Sequence, residues 1–271
     1  MNKSIYRQAD YQSKSDQDKF QEKNLPILRF SKNIAPSVDK GKNNRPGAKQ
    51  YTSMQALAEF ERWSRTYDRS LLQYLLFEPT HQVLLRYLGP GDRKILDIGC
   101  GTGKFLVTIA ERFPATQLVG LDLCPGMLQR ASERCQPYGS RICLVRGDST
   151  YLPFQDNQFD VVTCSHSFHH YPDQQRAIAE MYRILRPNGR LLLVDGDRDG
   201  WWGWFIYDIC VPWIEGGVHH CSARQFRQLC QAAGFQQIQQ TRFGYLAPFL
   251  VTVAVAAKSS VAGQLPVARA A

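Results

Sequence analysis

The chain has 271 residues, of which 44% are hydrophobic and 21% charged, and it carries a formal net charge of +9. That length can bury one sizeable core, so one α/β domain with additions is the prior. No run of about 18 apolar residues exists, which excludes a spanning helix. The charge is uneven: the first fifty residues hold 11 Lys/Arg against 5 Asp/Glu, and the remainder 22 against 19. Basicity concentrated outside the core argues against a catalytic face built to hold nucleic acid. The eight cysteines form no C-x-x-C pair, so neither a disulfide framework nor a zinc site is expected, and a reducing cytoplasm is the expected compartment.

Residues 1–50 are rich in Lys, Asn, Gln, Ser and Asp and lack a signal peptide's apolar stretch; they are expected to form a disordered leader. From residue 52 the pattern becomes helical. Ala56, Leu57, Phe60, Trp63 and Tyr67 recur at three- and four-residue spacing. A second helix is expected from about Ser70 to Leu88, bent near Pro79. These two form an N-terminal cover over 52–88. The core then alternates. Strands are expected at 94–98, 117–121, 141–146, 159–164 and 190–194, with helices at 102–113, 125–136 and 172–185. Arg186-Pro187-Asn188-Gly189 reads as a turn. A helix at 222–233, capped by Ser222 and closed by Gly234, precedes strands at 235–243 and 249–257. Residues 259–271 read as a flexible tail, so the domain spans 51–258. Alternation of this kind implies a doubly wound, Rossmann-like α/β sheet with helices on both faces.

The first core strand ends in Asp97 and enters Gly99-Cys100-Gly101-Thr102-Gly103. Three glycines allow a tight turn and close approach of a ligand. The following helix offers its N-terminal amides to a carboxylate or phosphate. Lys104 stands where a dinucleotide fingerprint has its third glycine. Asp97 repels a pyrophosphate and attracts an ammonium group. The loop therefore suits a ligand with both an amine and a carboxylate, such as the amino-acid end of S-adenosylmethionine (SAM). In such sheets the ligand lies beyond the carboxyl ends of the strands. Asp122 ends the second strand, where a carboxylate can accept from a ribose diol. Asp148 and Ser149 follow the third, and Ser165 and His166 the fourth. Four polar strand ends in register favour a nucleoside site.

The pieces DIGCGTG at 97–103, GLDLCPGML at 120–128, GDSTYLPFQDNQFDVV at 147–162, HHYPD at 169–173 and RILRPNGRLLLVD at 183–195 resemble a class I SAM-dependent methyltransferase. The similarity is to the small-molecule group (methyltransferase type 11) that includes ubiquinone and menaquinone methyltransferases. It covers about Trp63 to Ala257. It implies a seven-stranded sheet whose last strand is antiparallel, with SAM as methyl donor. By position, Asp97, Gly99, Cys100, Gly101 and Gly103 line the methionine end. Asp122 binds the ribose, and Leu123 or Met127 packs on the adenine. Asp148 and Ser149 flank the adenine edge, Ser165 lies near the sulfonium, and Tyr67 belongs to the N-terminal cover. Asn188 replaces a usual glycine, and asparagine tolerates the left-handed conformation.

A sulfonium methyl needs alignment more than acid catalysis. A base matters only when the acceptor carries a proton. Candidates are His169 and His170 after the fourth strand, and His219 and His220 in a glycine-hinged loop. No carboxylate or cysteine stands at ligand spacing beside either pair, so no metal is expected. Trp201, Trp202, Trp204, Phe205, Tyr207 and Trp213 crowd the cover segment 199–221. Some of these rings are expected to line the pocket of an apolar or aromatic small-molecule acceptor, and a transient contact with a membrane surface fits them as well. Two alternatives remain at this point. A nucleic-acid or protein methyltransferase lacks support in Ser165-His166-Ser167-Phe168, which is no proline-aromatic platform for a flipped base. A non-catalytic partner protein of the same fold is the other. Oligomeric state is not readable.

Overall fold

The computed structural model describes residues 28–30, 77–215, 218–244 and 247–258. The sheet follows the expected alternation. Strands β1 (Leu28–Phe30), β2 (Lys94–Ile98), β3 (Gln117–Asp122), β4 (Ile142–Arg146), β5 (Phe159–Ser165), β6 (Leu185–Gly196), β7 (Gln236–Phe243) and β8 (Phe249–Val255) lie in the order β1-β4-β3-β2-β5-β6-β8-β7. The first six are mutually parallel, and β8 is antiparallel to both β6 and β7. Apart from β1, this is the expected seven-stranded sheet.

Helices α1 (Glu78–Leu85), α2 (Lys104–Arg112), α3 (Pro125–Cys135), α4 (Gln174–Ile184), α5 (Gly200–Trp204), α6 (Val211–Glu215) and α7 (Ala223–Ala233) pack around it. The central strands are apolar on both faces, as a sheet covered on both sides requires. Leu96, Ile98, Val162 and Leu193 join Phe168, Met181 and Phe226 in one buried layer. Ile95, Leu118, Leu144, Val161 and Leu192 join Phe105, Leu106 and Ile109 in the other. Neighbours in sequence thus point to opposite layers, the two-residue period of a strand.

Local chemistry explains the boundaries. Asp173 caps α4 by accepting from the Arg176 amide at 2.9 Å. Ser222 and Gln225 form a capping box on α7, which Gly234 closes in the left-handed conformation. Pro125 opens α3 directly after Cys124, where its missing N–H leaves no bond unmade.

Two expectations change. The leader spans 1–50, and its only described part, Leu28–Phe30, is a strand parallel to β4 rather than a solvated tail; the rest lies outside the described residues. The turn at Arg186–Gly189 does not separate α4 from a short strand. It bulges inside one strand that begins at Leu185, with register passing from Phe159↔Leu185 to Val161↔Arg190. Asn188 takes φ 62° there, and its amide donates to the Ala256 carbonyl at 2.8 Å. Of the helices expected over 52–88, only α1 lies within the described residues. Pro79 falls in the first turn of α1 as described, and the rest of the helix expected to bend there lies outside the described residues.

Candidate functional site

The site lies beyond the carboxyl ends of β2 to β5. Strand order reverses at β2, with β3 on one side and β5 on the other. A crevice opens at such a switch point. The loop after β2 folds back on β3, where the amides of Gly99 and Cys100 both donate to the Leu121 carbonyl, at 2.8 and 3.0 Å. Gly99, Gly101 and Gly103 all take positive φ, but only Gly101 has open space where a side chain would go. A Cβ on Gly99 would lie 2.3 Å from Ser167 Oγ, and one on Gly103 would lie 3.1 Å from Ala131 Cβ. A Cβ on Gly101 would meet nothing within 4 Å. Gly99 and Gly103 therefore serve packing, and Gly101 leaves room at the cavity wall.

Asp122 ties the wall together. Its Oδ2 accepts from the Gly101 amide at 2.8 Å and its Oδ1 from the Cys124 amide at 2.9 Å. Burial pushes this carboxyl up, against the pull of those backbone donors. The cavity is lined by Gly99, Gly101, Asp122, Leu123, Met127, Asp148, Ser149, Ser165, His166 and His170, among others. Asp148 Oδ1 accepts from the Thr150 amide and hydroxyl at 2.8 and 2.7 Å, which fixes its turn.

Asp97, Cys100 and Gly103 lie outside this lining. Asp97 is buried beneath the loop and accepts from Thr163 Oγ1 at 2.7 Å. Burial pushes its carboxyl up to about 7, with the Thr163 bond opposing and Asp122 adding. Tyr67 lies outside the described residues.

The four candidate histidines separate. His170 is buried and lines the cavity. Burial, and then His169, hold its ring well below the ordinary histidine range. His169 lies behind it, with ring centroids 4.2 Å apart, and its Nδ1 is 2.6 Å from Asp195 Oδ1. His220 stacks on His169 at 4.3 Å and 17°, with Nε2 3.8 Å from the same carboxylate oxygen. Burial lowers His220 to about 3. His219 is exposed; its amide donates to the His169 carbonyl at 2.9 Å, pinning one His-His pair beside the other. His166 also faces the cavity. It takes φ 53° and hydrogen-bonds Thr80 Oγ1 of α1 at 3.0 Å.

Asp195 was not among the expected site residues. The same strand-end rule that selects Asp122 reaches it, because it stands near the carboxyl end of β6 and closes the RILRPNGRLLLVD motif. It also corrects the argument about metal ligands, since the fold supplies the carboxylate that sequence spacing does not show. His169, Asp195 and His220 place one ligand atom each within 4.8 Å of one another. Hydrogen bonds already engage the carboxylate: the His169 and Gly196 amides donate to it at 2.9 and 2.8 Å. Burial pushes Asp195 up, but His169, its hydrogen bond and His220 outweigh this and hold it below the ordinary carboxylate range.

The aromatic segment differs from expectation too. Trp201, Trp202, Trp204, Phe205 and Trp213 are exposed and none lines the cavity. Trp201 and Trp202 instead border a separate open groove of about 860 Å³, with Arg242, Phe243 and Pro248 opposite. Only Tyr207 of this group is buried, on Gly196 and His220.

The donor set fits SAM on two observations. Gly101 presents an open backbone to the cavity, and Ser165 Oγ is buried at its wall with no hydrogen-bond partner among the described residues. Comparison with known proteins agrees. Residues 96–193 match the family model described as a methyltransferase domain. A demethylmenaquinone methyltransferase of Lactiplantibacillus plantarum is 30% identical over 175 residues, 56% of this chain and 73% of that protein. One from Deinococcus radiodurans is 38% identical over 108 residues, 40% of this chain and 45% of that protein. Among solved structures, a SAM-dependent methyltransferase of Thermotoga maritima superposes with a TM-score of 0.60 at 22% identity, over 74% of this chain and 99% of that one. The crevice and its glycine loop thus have a family: the chain belongs to the SAM-dependent methyltransferases, and its methyl donor is SAM.

Proposed function

We propose that the acceptor is a compact apolar molecule bearing a phenolic or quinol hydroxyl, methylated at that oxygen or at a ring carbon it activates. The observation that carries this is His170. It is a buried ring at the cavity wall, held neutral by burial, with the His169–Asp195 pair directly behind it. A neutral imidazole is a proton acceptor, and an acceptor hydroxyl with a pKa of about 10 needs one. A free amine or an already anionic nucleophile does not.

SAM, when bound, supplies an electrophilic methyl carbon on a sulfonium whose leaving group is a neutral thioether. The chain's own residues do the rest. Asp122 and Gly101 hold one wall of the crevice, and Leu123 and Met127 supply apolar surface there. Ser165 offers an unused hydroxyl at the end of β5. His170 takes the acceptor's proton, and Asp195, held ionised, faces the histidine cluster in which the positive charge develops. Demethylmenaquinone methyltransferases among the relatives support a quinol acceptor.

The test is methyl transfer from isotopically labelled SAM to naphthoquinols, simple phenols, amines and carboxylates, read by mass spectrometry. Labelled quinol or phenol products are expected. Transfer to amines alone would reject the reading.

A further inference from the structure

We infer that the helical segment 200–213 is a membrane-docking face whose occupant is an anionic lipid surface. Seven large hydrophobic side chains are exposed among the described residues, and six of them lie here: Trp201, Trp202, Trp204, Phe205, Ile209 and Trp213. Soluble proteins scatter such groups singly; a contiguous patch marks an interaction site.

The helix is built to align them. It runs from α5 through a π-helical stretch, Phe205–Cys210, into α6. Trp201, Phe205, Ile209 and Trp213 are spaced by four and are 78%, 43%, 47% and 88% exposed. A four-residue step overshoots the α-helical turn of about 3.6 residues. It falls short of the wider turn closed by i→i+5 bonds. Passing from α to π and back therefore offsets part of the drift and leaves the four side chains on one exposed side. The opposite side is the packed one. Gly203 is buried because a Cβ there would strike the Asp197 carbonyl at 2.2 Å, and Tyr207 is buried against Gly196.

Three observations select a bilayer surface. Trp is the side chain that settles at the headgroup boundary, with its ring body in hydrocarbon and its N–H in water. The stretch 200–213 carries one charged side chain, Asp208, and Arg198 neutralises it through contacts of 2.5 and 3.1 Å, so shallow insertion buries no unpaired charge. The chain carries +9, with +6 of it in residues 1–50, and such basicity outside the apolar row adds a long-range attraction to an anionic surface. A protein partner is the poorer fit, because the row offers few hydrogen-bonding groups and protein interfaces use them regularly. No described helix is long and apolar enough to cross a membrane, so the contact is interfacial. The inference stands apart from the acceptor's identity.

The full-length chain is tested by co-flotation with vesicles of phosphatidylcholine alone and with phosphatidylglycerol added. Four of the five tryptophans lie in the segment, so their emission reports insertion directly. The native chain is expected to float with the anionic vesicles and to shift its emission to the blue. Trp201→Ser combined with Trp213→Ser is expected to lower partitioning at least tenfold, with melting temperature and SAM affinity retained. A native chain that stays in the aqueous phase overturns the inference. So does a double variant that floats equally well, which would assign binding to basic residues elsewhere. Native self-association that the double variant abolishes, without vesicle binding, would assign the face to a second copy.

Discussion

Asp195 grips both the ring and the backbone of His169. Its Oδ1 lies 2.6 Å from Nδ1 while its Oδ2 accepts the His169 amide at 2.9 Å. One carboxylate on β6 thus fixes the orientation of a histidine on the loop after β5, and through it the ring of His170 beside the cavity.

Asp195→Asn tests that grip. The amide leaves one acceptor oxygen for donors that now share two, and its NH2 group has no acceptor in their place. We expect stability to fall by about 1.5–3 kcal/mol for each buried charge-assisted bond lost. Urea unfolding measures this. The rate with a phenolic acceptor should drop while calorimetric SAM affinity changes little, since Asp195 is not among the cavity-lining residues.

Acid should destabilise the fold well above the carboxylate range. His81, His166 and His220 are lowered by burial to about 4, 3 and 3, and His170 is lowered as well. Between about pH 6.5 and pH 4 the unfolded chain binds protons at these four positions and the native chain does not. Stability therefore falls as pH falls through that window, by up to about 1.4 kcal/mol per pH unit per group. Asp97, pushed up to about 7, works the other way, because the native chain keeps its proton where the unfolded chain loses it. Asp122 is raised too. Four groups against two leave a net loss on acidification. Melting temperatures from pH 7.5 to 4.5 should decline, and His166→Phe should flatten the slope.

The glycine loop predicts a division of labour. Gly99→Ala places a methyl group on Ser167 and should cost about 1–3 kcal/mol of stability through overpacking. Gly101→Leu meets no protein atom but projects into the cavity. It should lower SAM affinity at least tenfold while costing only about 1–2 kcal/mol for the left-handed backbone. Paired melting and calorimetry on the two variants should show opposite patterns.

Asp122 is the second binding test. Asp122→Ala removes acceptors from the Gly101 and Cys124 amides as well as any partner for the ribose. A loss of about 1–3 kcal/mol in SAM binding is expected, visible by calorimetry as a rise in Kd of roughly 5- to 150-fold.

Much of the fold and part of the site are legible in the sequence. Alternation of strand and helix fixes the sheet, and the strand-end rule finds Asp122, Asp148 and Ser165. What stayed hidden depends on contacts between distant segments. The meeting of His169, Asp195 and His220 joins positions 26 and 25 residues apart, and no spacing rule spans that. The four histidines look alike in sequence, and only packing sends His219 to solvent and His170 to the cavity. The aromatic cluster was readable as a cluster, but its direction was not. Whether a ring faces in or out depends on helix phase, and here a π-helical stretch alters that phase.

The last expectation separates those histidines. His170→Ala should lower kcat with a hydroxyl-bearing acceptor by roughly 10²–10⁴, because the ring at the cavity wall is the one placed to take the proton. His219→Ala should leave kcat unchanged, since its exposed ring lies outside the lining and its anchoring bonds are made by backbone. His169→Ala should fall between, and Asp195→Asn should follow it, because both act through the orientation of His170. The pH profile distinguishes a base from a structural role. With His170 as base, the rate of the native enzyme falls on the acid side, and a more acidic phenol should restore part of the rate lost in His170→Ala. If an acceptor whose hydroxyl is already ionised gains nothing relative to a neutral one in that variant, His170 is not the base, and alignment in the crevice carries the catalysis.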